Sequence, residues 1–309
     1  MIKVNKKIKT YKDIFHLSRN DIKQIEDNLN NMSLRQKCAQ MIMPWVKGTY
    51  MNEDSNEYKR IVSLVKNMQV GGLIFFQGNI INEALLIKKT QKLAKIPLLI
   101  ASDFERGLAM RLTDGIEFPC NMALAATGDK TLAYKMGLQV AQECRAIGVT
   151  QNFAPVADIN DNPNNPIINT RAYSEDKKIV SDYCIKFIEG ATLGRTLTTA
   201  KHFPGHGSTQ TDSHRELPAI NLSKQELLKN ELVPFEKSIQ AGLHTIMVGH
   251  LAVPSIDSTG APASLSKPII TGILKEKLRF DGLIVTDSMN MNAIIKYYSV
   301  GEAAIKSVL

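Results

Sequence analysis

The segment TLTTAKHFPGHG, residues 196–207, changes character halfway along. Its first half contains a short apolar run, LTTA (Leu197 to Ala200), with the pattern of a buried strand. Its second half sets a lysine and two histidines among Pro204, Gly205 and Gly207. Proline and glycine exclude a continuous helix here. Lys201 and His202 are therefore expected at the C-terminal end of a strand that leads into a loop. In α/β barrels and open α/β sheets that end is where reactive groups are displayed.

Outward from this point the same unit recurs. Apolar runs rich in Val, Ile and Leu lie at 40–46 (QMIMPWV), 70–76 (VGGLIFF), 96–105 (IPLLIASDFE), 149–159 (VTQNFAPVADI), 244–253 (HTIMVGHLAV) and 282–289 (GLIVTDSM). Between them are helical patterns at 83–95, 132–148, 182–194 and 225–242. Buried strands alternating with helices imply a parallel sheet with helices packed over it. Most of the strand runs end in polar or ionisable residues: Ser102, Asp103 and Glu105; Asp158; Lys201 and His202; His250; Asp287. Such spreading of chemistry over many strand ends points to a (β/α)8 TIM-type barrel. An open doubly wound sheet would concentrate it at one switch point with a glycine-rich phosphate turn, and Gly71-Gly72 lacks the GxGxxG spacing. Seven strand runs are countable, so the expected barrel lacks its eighth strand, with the chain ending inside a helix at 301–309. The expected organisation is a helical lead-in over residues 1–32 and a C-terminally truncated barrel over 33–309.

Composition narrows the function classes. The 309 residues are 44% hydrophobic and 22% charged, an ordinary globular balance. The net charge of +8 is spread along the chain without a dense basic block or interleaved aromatics, which argues against nucleic-acid binding. Cys38, Cys120, Cys144 and Cys184 lie far apart without CxxC spacing, the pattern of reduced, mostly buried thiols. The lysine-scattered first twenty residues hold no signal-peptide hydrophobic region, and no apolar run approaches a membrane span. A soluble, cytoplasmic protein is expected.

The chemistry-bearing residues gather in a few places. In TDSH, Asp212 and His214 are two apart, so on a loop their side chains can converge, the carboxylate fixing the imidazole tautomer as in a general acid/base dyad; an Asx turn with an exposed histidine is the alternative. Asp287 ends the strand GLIVTD and is the best candidate for a nucleophile toward a glycosidic carbon; its alternative is a helix N-cap. His202 and His206 are four apart, but Pro204 and Gly205 deny them the helix that makes this spacing a zinc pair, and no HExxH glutamate accompanies them. Bracing the loop or donating to a ligand suits them better, and His250 is either a pocket residue or a satisfied core histidine. Asp103, Arg111 and Arg171 can accept from and donate to sugar hydroxyls, although each alone would be an ordinary salt-bridge residue.

Taken in order, SDFERG (102–107), NFAPVADI (152–159), RAYSED (171–176), KHFPGHG (201–207), DSH (212–214) and VTDSM (285–289) resemble glycoside hydrolase family 3. More narrowly they are similar to its bacterial β-N-acetylglucosaminidase branch, which acts in cell-wall (peptidoglycan) recycling. The resemblance runs from about Leu34 to the end. It implies a (β/α)8 barrel, a carbohydrate substrate and a retaining double displacement, with neither cofactor nor metal. By position Asp287 matches the nucleophile, and Asp212 with His214 the acid/base pair. Asp103, Arg111, Arg171, Lys201 and His202 fall where the family holds the sugar beside the cleaved bond. The chain departs from the commoner D-x-EGG-R-V pattern after the third strand, with Arg106 and Leu108 altering that loop. The implied activity is removal of a terminal β-linked N-acetylglucosamine; a phosphorylase or β-glucosidase of the same family, and an inactive sugar-binding domain, are the alternatives.

Overall fold

The computed structural model describes residues 15–213 and 215–309. All seven expected runs form strands: β1 (Trp45–Gly48), β2 (Gly72–Asn79), β3 (Leu99–Ser102), β5 (Gln151–Asn152), β6 (Leu197–Phe203), β7 (Thr245–Val248) and β8 (Leu283–Thr286). They pair in the order β1-β2-β3-β5-β6-β7-β8, every pair parallel. One further strand, β4 (Leu112–Thr113), pairs with the far end of β2 and escaped the sequence reading, since two residues carry no periodicity. Strand β6 runs three residues past the expected apolar stretch, so Lys201 and His202 lie within it.

The sheet is curled. Ala101 of β3, Phe153 just after β5 and Met247 of β7 meet in one cluster, with Met43, Ile74 and Val285 packed against it. Strands that are not neighbours, β3 and β7, thus share one cluster, as inward side chains of a curled parallel sheet do. Gln151 adds a polar member, its amide donating to the hydroxyls of Thr199 (3.2 Å) and Thr245 (3.1 Å). The larger core lies on the other face, between sheet and helices. Among the described residues β8 pairs only with β7 and β1 only with β2, so the observed architecture is an α/β fold with a curled parallel sheet, short of a closed barrel.

The helices obey their end signals. Asn79 caps Ile80–Leu93, accepting from Asn82 N, and Asp176 caps Lys177–Leu193, accepting from Lys178 N and Ile179 N. Thr131–Ile147 stops at Gly148, whose φ of 93° is a left-handed C-terminus. The single helix expected over 225–242 is instead two, Lys224–Lys229 and Val233–Ala241. Pro234 explains the break: it lacks an N–H and disfavours helical geometry just before it, so it starts the second helix. Arg19–Asn31 forms a separate helix opened by a capping box at Ser18. The cysteines are all free, but only Cys144 and Cys184 are buried; Cys38 is exposed, correcting the expectation of mostly buried thiols. No described helix is long and apolar enough to cross a membrane.

Glu83, in the first turn of Ile80–Leu93, is fully buried against Gly48 of β1, and neither carboxyl oxygen has a hydrogen-bond partner. Burial pushes it up from 4.5 to about 8. The folded state therefore holds a proton that the unfolded chain releases, so stability is greatest below about pH 4.5 and falls until about pH 8. Denaturant unfolding across this range should show a loss of roughly 3–5 kcal/mol attributable to this group. Glu83→Gln should remove that slope; an unchanged slope would show that Glu83 does not carry it.

Candidate active site

The turn after β3 is fixed before any charge is placed on it. Phe104 N donates to Asn152 Oδ1 (2.9 Å) while Asn152 Nδ2 donates back to the Phe104 carbonyl (3.1 Å), clamping residues 103–105 to the end of β5. Ser102 Oγ donates to the Phe75 carbonyl (2.7 Å), tying β3 to β2. Asp103 and Glu105 then face Lys201, which crosses from β6 with its ammonium 2.7 Å from each carboxylate. Glu105 is also gripped by Arg171, Nη2 at 2.7 Å and Nε at 3.0 Å. Arg111 reaches the other Asp103 oxygen at 3.3 Å and lies 4.1 Å over the Phe76 ring.

Burial alone would raise the Glu105 carboxyl, but the charges of Lys201 and Arg171 and their hydrogen bonds outweigh it and hold it far below the usual carboxylate range. Burial likewise works against the Lys201 ammonium, and Asp103 and Glu105 more than restore it. The result is a floor in which Asp103 and Glu105 face Lys201, Arg171 and Arg111.

Beside this floor stands a second group built on Asp158, which is fully buried. Its carboxylate accepts from His202 N (3.1 Å), His202 Nδ1 (2.7 Å) and His206 N (2.7 Å). His202 Nε2 is thereby turned toward Arg171, 3.4 Å away. Burial raises Asp158, yet His202 and His206 lower it further, leaving a net depression. His206 donates and accepts within the loop, Nδ1 at 2.7 Å from Thr209 Oγ1 and Nε2 at 3.1 Å from Ser213 Oγ. Burial and the nearby His202 push it down to about 4, so it stays neutral. His206 is thus a brace for the loop, and among the described residues no group of three His, Cys, Asp or Glu is arranged to hold a metal.

Two glycines let the loop lie where it does. Gly205 has φ 126°, and a Cβ there would sit 2.8 Å from Glu231 Oε2. Glu231 is buried beside Asp161, and burial pushes it up to about 9. At Gly207 a Cβ would run into the Ile159 carbonyl.

Asp287 closes β8, its N–H on the Val248 carbonyl (2.9 Å) and its Oδ1 accepting from Ser288 N (2.7 Å). It caps no helix, since the next one starts at Asn292. Burial would raise its carboxyl; the neighbouring His202, His250 and Lys201 side chains and the Ser288 N–H bring it below the ordinary range. Asp287 is therefore an ionised, oriented carboxylate in reach of the charged floor. Asp212 lies on the loop after β6, on the wall of a cavity of about 630 Å³ shared with Gln210, Arg215, Glu216 and Lys296. The Ser213 carbonyl accepts from Ala293 N (3.4 Å), so this loop bears on the segment following β8. His214 lies outside the described residues.

Of the residues singled out in the sequence, Asp103, Arg111, Arg171, Lys201 and His202 thus form one connected network, with Asp287 beside it. Glu105 and Asp158 were visible only as polar strand ends; here Glu105 is the carboxylate partner of Arg171 and the second one of Lys201, and Asp158 is the carboxylate partner of His202. A buried lysine at a strand end calls for carboxylate partners, a signal that points to Glu105. Asn152, as a backbone clamp, left no such signal. Arg106 pairs with Glu117 on the exposed side of its loop, away from the network.

A family model, the glycosyl hydrolase family 3 N-terminal domain, matches residues 33–309. The chain belongs to this family. It is similar to beta-hexosaminidase A of Pseudoalteromonas piscicida, at 32% identity over 268 residues, covering 79% of this chain and 45% of that protein. Among solved structures, a family 3 beta-N-acetylglucosaminidase from Paenibacillus sp. str. FPU-7 superposes with a TM-score of 0.84 at 36% identity, over 90% of this chain and 53% of that one. The beta-glucoside phosphorylase BglX, bound to 2FGlc, superposes with a TM-score of 0.89 at 29% identity, over 97% and 55%. The chain spans about half the length of these relatives.

Because Asp158 is depressed in the folded state, its contribution to stability is present above the ordinary value of 3.8 and is lost as pH falls below it. Asp158→Asn should cost roughly 3 kcal/mol in denaturant unfolding at pH 7 and should flatten the acid decline below about pH 4. Equal stability of the two proteins at pH 7 would show that the His202 and His206 contacts do not depend on this carboxylate.

Proposed function

We propose that the chain carries the catalytic face of a retaining glycosidase that removes a terminal, non-reducing β-linked N-acetylglucosamine. The observation that carries this reading is the ionised Asp287 at the end of β8, held by Ser288 N and set beside the Lys201–Asp103–Glu105–Arg171 floor. A carboxylate so oriented is a nucleophile in a site already equipped to bind sugar hydroxyls. The relatives named a beta-hexosaminidase and a beta-N-acetylglucosaminidase support the sugar.

In the first step an Asp287 oxygen bonds to the anomeric carbon as the glycosidic C–O bond breaks, and His214, oriented by Asp212, gives its proton to the departing oxygen. In the second, water attacks the same carbon, His214 takes the water's proton, and the bond to Asp287 breaks. Asp103 accepts from sugar hydroxyls while Arg111, Arg171, Lys201 and His202 donate to them or hold the acceptors in place. No cofactor enters this scheme. The reading includes a closed (β/α)8 barrel, in which one strand more than the seven of the main path would pair with β8 and β1.

Phosphorolysis is the second reading, favoured by the likeness to a beta-glucoside phosphorylase over nearly the whole chain. A histidine acid/base leaves less negative charge beside the incoming nucleophile than a carboxylate would, so phosphate could replace water in the second step. The two readings differ in product: free sugar, or sugar 1-phosphate in phosphate buffer.

With chromogenic β-N-acetylglucosaminide and β-glucoside side by side, the acetamido sugar should turn over faster, and Asp287→Ala should lower kcat at least about 10³-fold. Near-normal turnover by Asp287→Ala would remove the nucleophile assignment. Absence of turnover from the folded wild-type chain, with N-acetylglucosamine still bound, would favour an inactive sugar-binding domain.

A further inference from the structure

His250 follows the end of β7 and is 1% exposed. Its two ring nitrogens point to different parts of the chain. Nε2 lies 2.9 Å from the Ser288 carbonyl. A carbonyl only accepts, so Nε2 carries the proton and Nδ1 is left as an acceptor. Nδ1 is met by Ser264 Oγ at 2.7 Å, which therefore donates to it. Ser264 is itself fully buried, in a short turn (Ala263–Leu265) anchored by Ala263 N on the Leu251 carbonyl (2.8 Å). The tautomer and the ring plane are fixed from behind.

What this fixed donor holds is the residue next to Asp287. Ser288 is exposed, so packing does not locate it, yet its N–H supplies the 2.7 Å hydrogen bond to Asp287 Oδ1. Its carbonyl is gripped twice, by His250 Nε2 and by Met291 N (3.1 Å). A histidine serving only the core would spend its donor within the core; this one reaches across to the turn beside the proposed nucleophile.

We propose that His250, backed by Ser264, is a positioning residue for Asp287, holding the Ser288 peptide so that its N–H stays on the carboxylate. The inference rests on the nucleophile assignment above. An attacking oxygen must be held within about 0.5 Å of its productive place, and misplacement by about 1 Å can cost 10²-fold. Loss of the His250 donor should therefore slow chemistry and spare binding.

The test is steady-state hydrolysis of a chromogenic β-N-acetylglucosaminide by the full chain and its His250→Phe, His250→Gln and Ser264→Ala variants, with Asp287→Ala as reference. His250→Phe should lower kcat about 10- to 100-fold with KM within about twofold. His250→Gln, whose amide can still donate to the Ser288 carbonyl, should recover most of that loss, and Ser264→Ala should lose about threefold in kcat. A folded His250→Phe with wild-type kcat, or a His250→Gln as slow as His250→Phe, overturns the proposal. Should His250→Phe fail to fold, a wild-type kcat in Ser264→Ala overturns it. Nitrogen-15 NMR of the His250 ring is independent of turnover: protonation at Nε2 is expected, and protonation at Nδ1 would contradict it. A dead Asp287→Ala beside a normal His250→Phe sinks this proposal alone, whereas an active Asp287→Ala sinks the nucleophile assignment and this inference with it.

Discussion

A lysine ammonium held 2.7 Å from each of two carboxylates, with the lysine side chain 2% exposed, is the constraint around which the rest of this molecule is arranged. Removing such charges from water is costly, and only close pairing offsets the cost. Lys201 therefore requires Asp103 and Glu105 at the end of β3, three strands earlier in the chain and two across the sheet. Glu105 in turn requires Arg171, which arrives from the long loop after β5, and Asp103 draws in Arg111 from beside β4. A set of charges worth little on a surface becomes, in this interior, a specification of where three loops must go.

The second tier follows from the first. His202 is adjacent to Lys201 and so is carried into the same cleft, where Asp158 takes its ring nitrogen and its backbone N–H together. The same carboxylate holds His206 N, which bends the chain back over Glu231 and forces glycine at Gly205 and Gly207. Asp287 enters from β8, and the neighbouring His202, His250 and Lys201 side chains, with the Ser288 N–H, lower its carboxyl below the ordinary range. Structural pairing and the ionisation of the proposed nucleophile are one electrostatic arrangement.

Much of this was legible in the residues, and what was not has definite causes. Alternating apolar runs and helical periods placed all seven principal strands, because a buried parallel strand must be apolar on both faces. Polar residues at the ends of those runs marked Asp103, Lys201, His202 and Asp287, since such residues in a core segment need a reason. The two-residue β4 had no pattern to read. The helix over 225–242 broke because Pro234 overrode an otherwise continuous apolar period. Glu105 and Asp158 resemble any strand-end acid in sequence; only the burial of Lys201, Arg171 and His202 gives them partners. The role of His250 depends on Ser264 and Ser288, respectively 14 and 38 residues away, a relation no local spacing encodes.

The central claim is that Asp287 forms a bond to the anomeric carbon. Incubating the protein with a slow, fluorinated N-acetylglucosaminyl donor that accumulates the covalent intermediate, followed by proteolysis and mass spectrometry, tests it directly. The account predicts one sugar per chain, attached to Asp287 in the peptide that spans the end of β8. Attachment to another carboxylate, or release of product with inverted anomeric configuration and no adduct, would contradict it.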